Sequence, residues 1–134
     1  MNYWLVKSEP STWSWEQHVK KGVQSWDGVR NHQASNNMKA MKAGDLAFFY
    51  HSNEGKEIVG IVEVAKEYHP DPTDESGRFG MVAFKAVKAL KNPVSLERIK
   101  KDARLKNMVL VKNSRLSVQP VTAAEWEHIL KLSD

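Results

Sequence analysis

The sequence predicts one α+β domain over residues 1–134, with a mixed, mostly antiparallel sheet of five or six short strands flanked by three or four helices. Three observations support this. The chain has 134 residues, of which 41% are hydrophobic, which suits a single core. Its apolar runs have the length of strands and carry apolar residues on both faces. Its helical segments are few and do not alternate regularly with the strands, which argues against βαβ units.

The first third of the chain predicts a strand, a helix, a turn and a second helix. The aromatic and branched run Tyr3–Lys7 favours a buried strand. Ser14 is a candidate N-cap for a helix over Trp15–Lys20, which Gly22 would end. Trp26-Asp27-Gly28 is typical of a turn. Apolar residues at helical spacing then predict a helix over Val29–Lys42.

The middle of the chain predicts three strands and one long loop. Asp45–His51 and Glu57–Lys66 are separated by a Gly-containing segment of hairpin length. Their apolar residues on both faces suit a small barrel or a sheet covered by helices. The polar segment His69–Gly80 predicts an exposed, mobile loop, and Met81–Leu90 predicts another strand whose outward residues are lysines.

The last third predicts shorter elements. Pro93 is expected to end the preceding strand, and Ser95 to cap a short helix through Lys100. Met108–Val111 and Arg115–Val118 are brief strand candidates. Thr122 and Glu125 form a capping box that opens the final helix.

The composition excludes several classes of protein. The chain has no cysteine, so disulfides, thiol nucleophiles and cysteine-ligated metals are excluded. No apolar run approaches the roughly 20 residues of a membrane span, and Lys7 interrupts the N-terminal apolar run where a signal peptide would continue. We therefore expect a cytoplasmic protein that does not contact membranes.

The net charge of +4 is unevenly distributed. Between positions 85 and 115 there are ten Lys/Arg and two Asp/Glu, so this segment carries +8 and the remainder −4. Such a segment is either a solvated face or a contact for a polyanion such as nucleic acid. In the second case the candidate phosphate contacts are Arg104, Lys106, Lys112 and Arg115.

The sequence contains no credible catalytic constellation. It lacks a phosphate-binding glycine loop and a nucleophile elbow, and its five histidines lack metal-ligand spacing. Asp27, His51 and Ser52 could be combined into a Ser/His/Asp set only by coincidence of residue types. We therefore expect a protein that is not an enzyme and has no cofactor and no metal.

Polar residues follow three of the predicted elements. Lys7-Ser8-Glu9 leaves the first strand, Asp27 to Asn31 open the first long helix, and Tyr50-His51-Ser52 leave the strand after it. If the sheet brings these segments together, they form a pocket with an aromatic wall, made by Trp26 and Tyr50, and several hydrogen-bonding groups. Such a pocket suits a planar heteroaromatic ring that stacks on a side chain and is hydrogen-bonded along its edge.

Each of these residues also has a structural interpretation. Trp26 can belong to the core, and Asp27 can serve only the turn. Asn31 is either a buried polar group paired to backbone or a ligand contact. Tyr50 and His51 point in opposite directions on a regular strand, so one is structural unless a bulge intervenes.

Four motifs resemble the EVE domain family over essentially the whole chain. They are, in order, Tyr3-Trp4-Leu5-Val6-Lys7-Ser8-Glu9-Pro10, Trp26-Asp27-Gly28-Val29-Arg30-Asn31 with Gln33-Ala34, Phe48-Phe49-Tyr50-His51-Ser52, and Ile58-Val59-Gly60-Ile61. The resemblance implies a PUA-like pseudo-β-barrel related to YTH and ASCH domains. It also implies a pocket for a modified base of DNA or RNA.

By analogy with YTH domains, Trp26 would stack on the base, which raises it from a core residue to a pocket wall. The backbone near Lys7, Ser8 and Asp27, with the Asn31 side chain, would hydrogen-bond the base edge. The mouth would be lined by Arg30 and by the residues around Tyr50, His51 and Ser52. YTH-type cages take further aromatic residues from a later loop, for which Phe79 is a candidate.

The sequence therefore predicts a non-enzymatic domain that is a monomer and holds a modified base such as methylated or hydroxymethylated cytosine or N6-methyladenine. Its partners would be DNA or RNA, with effector proteins for any effect beyond binding. The alternatives are an RNA-binding accessory module of the PUA-like type and an enzyme acting on modified nucleic acid.

Overall fold

Six strands form one mixed sheet in this computed structural model, which describes all 134 residues. The strands are β1 (Tyr3–Ser8), β2 (Val23–Ser25), β3 (Leu46–His51), β4 (Glu57–Pro70), β5 (Gly80–Ser95) and β6 (Val118–Val121). Their order across the sheet is β2-β5-β4-β3-β1-β6. Only β1 and β3 pair in parallel, so the predicted mostly antiparallel α+β fold is confirmed. The barrel is not closed, because β2 and β6 are edge strands that do not pair with each other.

Five helices accompany the sheet, one more than the upper end of the predicted range. They are α1 (Trp15–Lys21), α2 (His32–Ala40), α3 (Leu96–Lys100), α4 (Val109–Lys112) and α5 (Ala123–Ser133), with a 3₁₀ turn at Ala103–Leu105. The predicted N-caps Ser14, Ser95 and Thr122 are confirmed, since each side chain accepts a backbone N–H of the first helical turn. None of these helices has the length and apolar character of a membrane crossing.

The sheet buries side chains on both faces, and a separate core lies on each. Trp4, Val6 and Phe49 pack on one face with residues of α1 and α2. Leu5 and Phe48 pack on the opposite face with residues of α3, α4 and α5. This alternation along β1 and β3 explains why both strands are apolar on both faces. Each face therefore meets different polar residues where the strands end.

Strand β5 continues through Pro93, contrary to the prediction. Val94 pairs with Ile58 and Ala89 pairs with Gly60, so the residues between Ala89 and Val94 lie opposite a single residue of β4. Pro93 lies in this irregular segment, where the sheet does not need its missing N–H.

Other boundaries also differ from the prediction. Met108–Val111 was expected as a strand, but the chain forms α4 there, because a short apolar run does not distinguish helix from strand. The last strand occupies Val118–Val121 rather than Arg115–Val118. Helix α2 begins only after Asn31, which is its N-cap. Strand β2 was not predicted, since three residues carry no periodic pattern.

The loop after β4 has more internal structure than its polar composition suggested. Asp71 is only 3% exposed, and it accepts hydrogen bonds from the Gly28 and Thr73 N–H groups at 2.8 Å each. The Arg30 guanidinium also contacts the Asp71 carboxylate, at 3.2 Å. These contacts attach the loop to the segment that precedes α2.

Candidate base-binding pocket

A cavity of about 350 Å³ opens where β1 ends beside β2. We call it the tryptophan pocket, and it is lined by Lys7, Ser8, Glu9, Thr12, Trp13, Gln24, Ser25, Trp26 and Asp27. Four of the predicted site residues, Lys7, Ser8, Trp26 and Asp27, therefore meet in one place. Glu9, Thr12, Trp13, Gln24 and Ser25 were not among the predicted site residues.

Trp26 is both a core residue and a pocket wall, so its two interpretations are compatible. It is 9% exposed, and its ring lies edge-on to Phe49 and Phe84, with centroids 5.7 and 5.5 Å away. The backbone N–H of Trp26 donates to the Val82 carbonyl at 2.8 Å. This packing immobilises the indole, and the part that remains exposed lines the tryptophan pocket.

Trp13 supplies a second aromatic wall that the sequence did not reveal. It is half-buried, and its indole Nε1–H donates to Nδ1 of His18 at 3.0 Å. Because indole can only donate, Nδ1 of His18 must be unprotonated. The other ring nitrogen, Nε2, lies 2.9 Å from the Phe84 carbonyl and must carry the proton. A neutral, fully buried histidine therefore orients Trp13.

Burial lowers the pKa of His18 from its ordinary value, and the Phe84 carbonyl opposes part of this effect by favouring a proton. The neutral form is thus stable at physiological pH. His18 also stacks on Trp15 with an interplanar angle of 10°. The only sequence signal for this role was its position three residues after Trp15 on one face of α1.

Ser8 joins the chain segments around the pocket. Its hydroxyl donates to the Trp13 carbonyl, and its own carbonyl accepts the Ser52 N–H at 2.9 Å. Ser8 therefore connects the end of β1 to the segment bearing Trp13 and to the end of β3.

Arg30 and Asn31 do not line the tryptophan pocket. Arg30 binds Asp71 and donates to Thr73 Oγ1 at 2.9 Å. The Asn31 side chain accepts the Ala34 N–H at 2.9 Å as the cap of α2, so Asn31 is paired to backbone, but it is exposed rather than buried. Phe79 lies against the imidazole ring of His32 and the guanidinium of Arg30. It does not line the tryptophan pocket, so it is not a further cage residue there.

Tyr50, His51 and Ser52 also lie outside the pocket. Strand alternation places Tyr50 and His51 on opposite faces of the sheet, as the sequence suggested. Tyr50 packs in the core of the opposite face. His51 Nε2 accepts the Trp15 N–H at 3.0 Å, which holds the start of α1 against β3, and burial lowers the pKa of His51. The register shifts here because Val59 of β4 has no partner on β3. The extra residue is therefore on β4, and Tyr50 and His51 of β3 still point to opposite faces.

The four proposed phosphate contacts are all exposed, and none forms an ion pair: Arg104, Lys106, Lys112 and Arg115. Arg115 is close to the end of β1, because the neighbouring Ser114 carbonyl accepts the Lys7 ammonium at 2.6 Å. Arg104 lies in the 3₁₀ turn instead. The basic residues therefore lie on several different elements.

The tryptophan pocket offers two aromatic walls and polar groups of both kinds. The Glu9 and Asp27 side chains can accept hydrogen bonds from amino groups, and the Trp26 indole N–H, which has no partner within the protein, can donate one. No three histidine, aspartate or glutamate side chains converge in a way that could hold a metal ion. These features suit a planar ring with amino and carbonyl groups at its edge.

The EVE domain model matches residues 2–132. The chain belongs to the EVE family. The structure of Rpa0253 from Rhodopseudomonas palustris is 59% identical, with a TM-score of 0.95, and the alignment covers 99% of this chain and 93% of that one. Rat thymocyte nuclear protein 1 is 36% identical, over 99% of this EVE domain and 74% of the rat protein.

Two further structures with a similar fold contain nucleic acid. Human THYN1, in complex with DNA containing 5-methylcytosine, is 34% identical to this EVE domain, with a TM-score of 0.89 and coverage of 100% and 98%. The YTH domain of Zygosaccharomyces rouxii MRB1, in complex with N6-methyladenosine RNA, is 21% identical. Its TM-score is 0.60, over 99% of this chain and 86% of that one, which shows a shared fold.

Proposed function

We propose that this EVE domain binds nucleic acid and holds one modified base in the tryptophan pocket, between Trp13 and Trp26. The observation that carries the proposal is the placement of two immobilised indoles on one cavity of about 350 Å³ at the end of β1. The complex of human THYN1 with 5-methylcytosine DNA supports a modified cytosine as the ligand.

The contacts of the pocket indicate what each residue contributes. Stacking on an aromatic side chain is worth roughly 1–3 kcal/mol per base, and it accepts any planar ring. The Glu9 and Asp27 carboxylates select bases that present an amino group, such as cytosine and adenine. A methyl or hydroxymethyl group adds apolar area against the indoles.

A double-stranded partner would have to extrude the base before the pocket could accept it, whereas a single strand would not. The exposed basic residues, Arg115 among them, contribute attraction to phosphates that weakens with salt. The proposed activity is binding alone, and any further effect on the nucleic acid would come from a partner protein.

Fluorescence anisotropy with matched oligonucleotides tests the proposal. The set contains cytosine, 5-methylcytosine, 5-hydroxymethylcytosine, adenine and N6-methyladenine, each in DNA and in RNA. We expect a modified oligonucleotide to bind more tightly than its unmodified counterpart. Equal affinity for modified and unmodified RNA, with a preference for RNA over DNA, would favour the RNA-binding accessory module. A change in the mass of the oligonucleotide after incubation with the protein would favour an enzyme.

Trp13→Ala is the decisive variant, because Trp13 is less buried than Trp26. It should weaken binding of the preferred oligonucleotide by about 5- to 150-fold, the equivalent of one stacked base. Phe79→Ala is the matched control, since Phe79 is another half-buried aromatic residue that does not line the pocket. Equal losses for the two variants would contradict the assignment of the pocket.

A further inference from the structure

A second cavity, of about 310 Å³, lies on the opposite face of β1 and β3 from the tryptophan pocket. We call it the lysine cavity. Its lining residues are Lys7, Tyr50, Ser52, Asn53, Lys56, Leu96, Lys100, Leu110 and Ser114. The two cavities share Lys7, whose ammonium lies over the Tyr50 ring on the lysine-cavity side, 5.8 Å from the ring centroid.

The charge of the lysine cavity is uncompensated. Three of its nine lining residues are lysines, and none is an aspartate or glutamate. The ion pairs of the protein are Arg30–Asp71, Lys101–Glu97 and His128–Asp102, so Lys7, Lys56 and Lys100 have no carboxylate partner. Because three like charges around one small space repel each other, an anion in that space would be favourable.

Lys7 is held in position although its charge is unpaired. Its Nζ donates to the Ser114 carbonyl at 2.6 Å, and its backbone N–H donates to the Ser117 carbonyl at 2.9 Å. Burial lowers the pKa of the Lys7 ammonium from its ordinary value. A half-buried ammonium with one neutral acceptor retains two N–H donors for a ligand.

Tyr50 is a second, independent indication of a ligand. The residue is only 3% exposed, and its hydroxyl makes no hydrogen bond within the protein while the residue lines the lysine cavity. The hydroxyl is not sealed in the core, since Gln119 Oε1 is the one buried side-chain N or O atom without a partner. It is therefore open to donate to a ligand oxygen. Burial raises the pKa of Tyr50, which keeps this hydroxyl a donor. Ser52 and Ser114 place two more polar residues on the same cavity.

We propose that the lysine cavity binds a phosphate group through the ammonium groups of Lys7, Lys56 and Lys100 and the hydroxyl of Tyr50. A phosphate offers several acceptor oxygens and up to two negative charges, which matches a cavity rich in donors and free of carboxylates. Two sources share this chemistry. One is a backbone phosphate of a strand whose base occupies the tryptophan pocket, which rests on the proposed function. The other is a free phosphate ester.

Amide NMR spectra of the full chain test the proposal, with inorganic pyrophosphate, a nucleoside 5′-monophosphate and the preferred oligonucleotide as separate probes. Pyrophosphate should shift the amide signals of Ser52, Asn53 and Ser114 and leave the indole signals of Trp13 and Trp26 unchanged. Shifts around the lysine cavity with the oligonucleotide would identify the strand as a source, and shifts with the small probes alone would identify a free ester. Unchanged amides with all three probes would overturn the proposal.

Three variants separate binding from folding. Tyr50→Phe keeps the buried ring, removes only the hydroxyl, and should weaken phosphate binding by about 2- to 10-fold. Lys56→Gln and Lys100→Gln affect exposed side chains and should weaken it by about 2- to 5-fold each. Lys131→Gln, another exposed lysine that lines neither cavity, is the matched control.

These measurements test the phosphate site in the lysine cavity and the base site in the tryptophan pocket independently. Base binding is read from the indole signals of Trp13 and Trp26, and phosphate binding from the amides around Tyr50. If Lys56→Gln, Lys100→Gln and Tyr50→Phe all bind every probe as tightly as Lys131→Gln, the phosphate site is wrong even where the base pocket is correct.

Discussion

The indole N–H of Trp13 donates to Nδ1 of His18 at 3.0 Å, inside the protein rather than toward solvent. His18 in turn donates from Nε2 to the Phe84 carbonyl of β5. The orientation of a pocket wall therefore depends on a neutral histidine in the core. Protonation of Nδ1 would place two N–H donors against each other and break this connection.

The stability of the protein should fall as the pH is lowered below about 6.5. The pKa of His18 is lowered in the folded state, mainly by burial, so on acidification the unfolded chain takes up a proton before the folded protein does. The burial-lowered pKa of His51 acts in the same direction. Thermal unfolding between pH 7.5 and 5.5 measures the effect. His18→Phe should reduce the slope, and an unchanged slope would contradict the role of His18.

Trp26→Ala and Trp13→Ala should differ in their effects on folding. Trp26 packs against Phe49 and Phe84 in the core, and truncation of such a residue costs about 3–5 kcal/mol. Trp13 is half-buried, so its truncation should cost less. Unfolding in urea measures both free energies. A smaller loss for Trp26→Ala than for Trp13→Ala would contradict the described packing, and Trp26→Phe provides a milder comparison.

Gly60→Ala should destabilise the protein by about 1–3 kcal/mol through overpacking. A Cβ at this position would lie 2.5 Å from Cζ2 of Trp15, whose ring rests directly on the backbone of β4. Unfolding in urea gives the loss. The double variant with Trp15→Phe should recover part of it, because the smaller ring leaves room. Strictly additive losses in this cycle would argue against direct contact.

Asp71→Asn should destabilise the protein by about 1–3 kcal/mol at neutral pH and change its acid sensitivity. Burial acts to raise the pKa of Asp71, but hydrogen bonds from Thr73, Gly28 and Arg30 outweigh it and lower the pKa to about 2. The charged carboxylate thus stabilises the fold fully above pH 3.8, and this contribution is lost as the pH falls toward 2. Unfolding measured between pH 5 and 2 should show a smaller decline for Asp71→Asn than for the parent protein.

Much of the fold followed from local signals. The β1 and β3 strands and the caps Ser14, Ser95 and Thr122 were predictable, because apolar runs and capping side chains act within a few residues. The errors arose where distant partners decide the outcome. Strand β2 has only three residues and exists because β5 offers it an edge to pair with. Pro93 is tolerated because the residues of β5 between Ala89 and Val94 have no regular pairing with β4.

The site was predictable only in part, for the same reason. Motif positions indicated Ser8, Trp26 and Asp27, which the fold does bring to one cavity. Asn31, by contrast, satisfies the first turn of its own helix. The cytoplasmic location, the preferred monomer and the roles of the four exposed basic residues stay predictions.

The sequence by itself determined the family, the mixed sheet and the basic character of the segment between residues 85 and 115. Only the tertiary structure decided that Trp13 and Trp26 line one cavity and that Tyr50 lines a separate cavity with Lys7. The physical reason is distance along the chain. The orientation of Trp13 depends on His18, which is itself held by a carbonyl 66 residues away. The faces of β1 and β3 acquire different environments only when helices from opposite ends of the chain cover them.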